Sequence, residues 1–187
     1  MGRADFDKIL DEQRNEAKNY DWDSRKQEWL SAVQRLYDQV TSYLYDYIQD
    51  GRVTLDRTPK TLQEQLIGTY ETEKLIVVVD DTRIEFDPVG TFIVGAHGRV
   101  DVHSNSGKAT LVLVPESITG VAVHIASSTT EEDRKNPRSP SNEVRNTATE
   151  SKFWKIATEP PEVRYIPLDE EMFFDLMVEL LGGSTSF

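Results

Sequence analysis

The sequence predicts an α+β fold: an N-terminal helical hairpin packed on a curved antiparallel β-sheet, closed by a C-terminal amphipathic helix. Three observations carry that expectation. Apolar residues recur at three- and four-residue spacing between Trp29 and Ile48 and again between Met172 and Leu181. Between these segments the run from Lys74 to Pro115 alternates β-branched residues with turn residues at Asp80-Asp81, Asp87-Pro88-Val89-Gly90, Gly98 and Asn105-Ser106-Gly107. Helices, strands and a helix follow one another in blocks, which favours segregated layers over alternating βαβ units. The chain of 187 residues is read as one domain, with a helical part over 1–51, the sheet over 52–126, a polar mobile loop over 127–152, and two strands and a helix over 153–187.

The first helix carries a thin apolar stripe of Phe6, Ile9, Leu10, Ala17 and Tyr20 on a strongly charged background. The segment Asp21-Trp22-Asp23-Ser24 interrupts it, and Asp23 or Ser24 is suited to cap a second helix. Trp29, Val33, Leu36, Val40, Tyr43, Leu44, Tyr47 and Ile48 form that helix's stripe, and Asp50-Gly51 ends it. Residues 52–55 suit an edge strand, and 61–67 fit either a short helix or a strand, with Gly68 as terminator. Strands are expected near 74–79, 82–87, 91–96, 99–104, 109–115 and 120–126. From Ser127 to Lys152 the composition is polar, with Pro137 and Pro140, and offers nothing to offset the entropy of ordering. Strands are expected again at 153–158 and 163–168. Asp169 then caps a last helix whose first turn holds Glu170 and Glu171, where the helix dipole favours anions.

Composition narrows the function classes. The chain has no cysteine, which removes disulfides, thiolate metal sites and cysteine nucleophiles. A net charge of −12 opposes phosphate backbones and suits basic partners, so direct nucleic-acid binding is not expected. No stretch reaches the roughly 18 apolar residues a membrane helix needs, and the first residues lack the apolar core of a secretory signal. A cytoplasmic protein without membrane contact is the expectation. No dinucleotide fingerprint, phosphate loop or Gly-x-Ser-x-Gly elbow is found, and nothing in the sequence calls for a cofactor.

Two constellations stand out. Alternation along strands places Glu85, Asp87, Arg99, Asp101 and His103 on the outward face of the sheet. Carboxylates and an imidazole that converge there suit a divalent cation or general-base chemistry. A solvated face stabilised by cross-strand ion pairs would hold the same residues, and no metal site is assigned. His97 in Gly95-Ala96-His97-Gly98 reads as a bulge or strand bend, and His124 as a half-buried strand residue. The second constellation is aromatic. Tyr37, Tyr43, Tyr45 and Tyr47 cannot all share one helical stripe, which leaves Tyr45 and Tyr37 beside Asp38 and Asp46 as an exposed protein interface. The leading expectation is a non-catalytic inhibitor, immunity-type or adaptor protein that binds another protein with a basic surface. The alternatives are a small enzyme or ligand-binding protein using the outer sheet face, and a subunit of a larger assembly joined through the N-terminal helices.

Overall fold

The structure, a computed structural model, describes residues 21–91, 93, 95–120 and 151–183. The first expected helix, most of the strand expected at 120–126, His124 and the polar segment up to residue 150 lie outside these residues. Helix α1 spans Trp22–Tyr43, and a short helix α2 spans Tyr45–Gln49 after a break at Leu44. Among the described residues seven strands follow, β1 Val53–Glu64, β2 Gly68–Val79, β3 Thr82–Gly90, β4 Arg99–His103, β5 Lys108–Pro115, β6 Lys152–Ala157 and β7 Tyr165–Pro167, before helix α3, Glu170–Leu180. The strands form one antiparallel sheet in chain order from β1 to β7, and the arrangement is α+β.

Asp21, rather than Asp23 or Ser24, caps α1, its carboxylate accepting the Ser24 N–H at 2.9 Å. Asp23 falls instead in the first turn, where the dipole still favours it. Asp169 caps α3 as expected, accepting from the Met172 N–H at 2.9 Å. Both helices turn their apolar stripes to one face of the sheet. Trp29, Leu36 and Val40 of α1 and Phe173, Leu176 and Leu180 of α3 join Leu75, Val77, Ile84, Phe86, Val100, Val102 and Leu111 in one core. Trp29 and Trp154, both buried, meet with ring centroids 6.0 Å apart, and the Trp154 indole N–H donates to the Ala32 carbonyl at 3.0 Å. This last bond fixes helix to sheet at a buried polar group that would otherwise be costly.

Of the two readings of 61–67, the strand holds over 61–64, which completes a long hairpin in which β1 pairs with β2 from Val53↔Val79 to Glu64↔Gly68. One expectation fails: of residues 91–96, the described Thr91, Ile93, Gly95 and Ala96 show only an isolated bridge between Ile93 and Ala96, and β4 pairs directly with β3. The chain leaves β3 at Gly90. Its φ of +139° is closed to other residues, and a Cβ there would lie 2.9 Å from the Glu64 carboxyl carbon. The hairpin runs beyond the β2–β3 pairing and curls over the end of β3. There the Glu64 carboxylate accepts the Thr91 N–H at 2.8 Å, the Thr91 hydroxyl at 2.9 Å and the Tyr70 hydroxyl. Gly98 lets the chain pass Trp29, whose ring would stand 2.3 Å from any added Cβ.

The rims of the sheet are also particular. On β1, Pro59 has no N–H, and the N–H of Arg57 donates to the Asp56 carboxylate at 2.8 Å. At the other rim, β7 has three residues, and its Tyr165 N–H is taken by the Thr119 carbonyl at 2.8 Å.

Candidate functional site

Direct pairing of β3 with β4 brings the outward residues together. Glu85 stands opposite His103, and Asp87 opposite Asp101. Such pairs have Cβ atoms about 5 Å apart, so three carboxylates and an imidazole do share one patch. What occupies the space between them is cationic. Lys74 Nζ lies 2.5 Å from Glu85 and 3.1 Å from Asp87. Lys60, arriving on the curled hairpin, donates to Asp87 and to the Pro88 carbonyl, the latter at 2.7 Å. Arg99 grips Asp101 through two bonds of 2.6 and 3.0 Å, and the Thr110 hydroxyl lies 3.3 Å from the same carboxylate. His103 is half exposed, and its Nε2 is 3.8 Å from Glu85, beyond hydrogen-bond reach.

The electrostatics follow this geometry. The hydrogen bond from Lys74 holds the Glu85 carboxyl below the usual carboxylate range against the opposing effect of burial. Burial alone would raise Asp87, but Lys60 and Lys74 outweigh it and bring Asp87 down as well. Donating to Asp101 raises Arg99, and donating to Glu85 raises Lys74. Glu85 and Asp87, held ionised by Lys60 and Lys74, are poor proton acceptors. A cation would have to displace lysine or arginine to reach them, and among the described residues no group of three or more acids or imidazoles is arranged to hold a metal. A cleft of about 760 Å³ opens beside the patch, with Arg99, Asp101 and His103 on one wall and Ile156, Ile166 and Leu176 on another.

Lys60 and Lys74 escaped the sequence reading, although one of them was accessible. The two-residue turn at Asp80-Asp81 sets Val79 opposite Thr82, and the same register carried back along the strand sets Lys74 against Asp87. Lys60 could not be found that way, because its approach depends on the curl of the hairpin.

The aromatic constellation divides. Tyr37 is 1% exposed, and its hydroxyl donates to the Glu73 carbonyl at 2.7 Å, so it belongs to the core and not to a surface. Burial raises its phenol accordingly. It lies one residue from Leu36 at the edge of the stripe, and the hairpin covers that edge. Tyr45, by contrast, is 58% exposed. Tyr47 contacts Phe174 of α3 at 5.8 Å between centroids, which joins α2 and α3 into one surface. Asp46 and Asp38 are exposed, and Asp38 accepts from Gln34 at 2.7 Å. On α3 the sequence adds Glu170, Glu171, Asp175 and Glu179, and no lysine or arginine follows Arg164. Among the described residues none of Asp38, Asp46, Glu170, Glu171 and Asp175 has an ion-pair partner. Asp50 is paired, at 2.8 Å with Arg52. The apolar stripe of α1 is spent on the sheet, and no described helix is long and apolar enough to cross a membrane.

Compared with protein-family models, curated proteins and solved structures, the chain matches none of them.

Proposed function

We propose that the protein is a non-catalytic interaction protein that docks a basic surface of another protein through Tyr45 and the carboxylates of α2 and α3. One observation carries this reading. The carboxylates of the outer sheet face are neutralised within the chain, whereas Asp46, Glu170, Glu171 and Asp175 lack countercharges among the described residues, on two helices that meet at Tyr47 and Phe174, and Tyr45 on the first of them is exposed. Unpaired surface charge steers association, and tyrosine supplies rigid contact area at low entropic cost. The test is comparative capture by the full chain, by a Tyr45→Ala, Glu171→Lys, Asp175→Lys variant, and by Asp87→Asn. A partner held by the wild type and Asp87→Asn, lost from the triple variant and released by moderate salt, supports the reading. Equal retention by the triple variant overturns it.

A second reading rests on the cleft beside Arg99, Asp101 and His103, which is large enough for a small ligand. Calorimetry with Mg²⁺, Mn²⁺ and Zn²⁺ separates the two. A stoichiometric heat lost on Asp101→Asn would make the outer face the working site.

A further inference from the structure

The two long helices treat their outer sides differently. Every exposed position of α1 carries Asp, Ser, Gln, Glu or Arg. Helix α3 breaks that pattern. Eight of the ten residues from Met172 to Leu181 are apolar, yet only Phe173, Leu176, Met177 and Leu180 of this helix are buried. Phe174, Val178 and Leu181, four and three residues apart, form a second stripe on another side. Val178 is 43% exposed and Leu181 39%. One apolar stripe is enough to seat a surface helix, so the second exceeds what the sheet requires. It is firmly mounted. Phe174 packs on Phe173 with ring centroids 5.4 Å apart and on Tyr47 of α2 at 5.8 Å, and the Arg52 guanidinium lies 4.7 Å over the Tyr47 ring. Glu171 and Asp175 stand three residues before Phe174 and Val178, and so border the stripe.

We propose, resting on the reading that α2 and α3 dock a basic surface, that this side of α3 receives an amphipathic helix of the partner. Its apolar anchors lie on Phe174, Val178 and Leu181, and its lysines or arginines reach Glu171 and Asp175. A ridge of side chains four and three residues apart packs into the groove between the corresponding rows of a second helix. From Phe174 to Leu181 the ridge is about 10 Å long, or about two turns, which is room for anchors at i, i+4 and i+7. A basic rim on the incoming helix matches the bordering acids, which favours it over an uncharged apolar segment. The same acids disfavour a second copy of this chain. No lysine or arginine follows Arg164, so α3 laid against α3 would set acids beside acids.

The test is fluorescence anisotropy at low salt between the full chain and a labelled leucine–lysine peptide of about 14 residues, roughly four turns of amphipathic helix. A second peptide has the same composition in an order that cannot gather its leucines on one side. The amphipathic peptide is expected to bind about tenfold tighter than its isomer. Val178→Asp separates the modes of contact. It adds an acid, so a contact made by charge alone would tighten, whereas burial of the stripe makes binding about tenfold weaker. Leu181→Asp should act in the same direction, and since both positions are exposed the variants should melt as the wild type does. Glu171→Gln with Asp175→Asn should weaken the amphipathic peptide and flatten its salt dependence. Removal of residues 184–187, which continue the chain from Gly183 beside Val178, should leave the affinity unchanged. The proposal is overturned if neither peptide binds, if Val178→Asp and Leu181→Asp leave the affinity unchanged or raise it, or if the shortened chain binds about tenfold tighter, which would make its own tail the occupant. Equal binding of the two peptides, lost with Glu171→Gln and Asp175→Asn, would overturn the helix and leave the docking of a basic surface standing.

Discussion

The outer face of the sheet and the α2–α3 surface are both rich in carboxylates, yet they are opposite kinds of acid. On the sheet, Glu85, Asp87 and Asp101 are each bonded to a lysine or arginine drawn from a different strand or from two residues along the same strand. On the helices, Asp46, Glu170, Glu171 and Asp175 have no such partner among the described residues. Pairing converts charge into local structure; unpaired charge remains available to a second molecule. The position of an acid in the fold, and not the count of acids, decides which it becomes.

That contrast can be broken at several depths. The scale is set by the apolar face beneath both regions: Trp29→Ala should cost about 3–5 kcal/mol in urea unfolding, because a fully buried ring leaves a cavity against Trp154. Asp87→Ala should cost less, about 1–2 kcal/mol, by leaving Lys60 and Lys74 half-buried without their shared partner. A loss as large as that of Trp29→Ala would mean that the ladder, not the core, holds the sheet.

Acid should then separate the groups by window. Folding depresses His97 from 6.5 to about 4, so between those values the unfolded chain binds a proton that the folded chain refuses. Stability therefore falls as pH is lowered through that interval, and His97→Gln should flatten the melting temperature there. Glu85 and Asp87 are depressed too, so their contribution is intact above the ordinary carboxylate value of about 4 and is lost as pH falls through their lower folded values. That second loss should survive in His97→Gln and shrink in Asp87→Asn. The smallest effect belongs to the helices. Asp46→Asn or Asp175→Asn should change stability by no more than about 0.5 kcal/mol, and a larger change would show that these acids serve the fold after all.

How much of this could be read beforehand follows the range of the interactions. The C-terminal helix, its Asp169 cap and the apolar stripe that buries Trp29 rest on local signals, and the structure has them as expected. The outward alternation of Glu85, Asp87, Asp101 and His103 is local as well. The adjacency of their strands was not legible, because residues 91–96 have strand composition, whereas β4 pairs directly with β3. Tyr37 was misjudged for a related reason. A helical wheel shows which side a residue faces, but not that a second layer of chain arrives to cover that side. Lys60 combines both difficulties, since its partner lies two strands away and is reached over the end of the sheet.

The rim formed by β1 has a further consequence. Backbone groups two residues apart point to the same side of a strand, so Arg57 and Pro59 present successive positions to one side. One has its donor occupied by Asp56, and the other has none. A strand from outside that aligned there would find a gap in place of a continuous ladder, with the charges of Asp56, Arg57 and Lys60 to desolvate besides. Among the described residues the opposite rim, β7, has three residues, one of them already bonded to Thr119. The β1 rim thereby resists the strand-by-strand pairing from which fibrils grow.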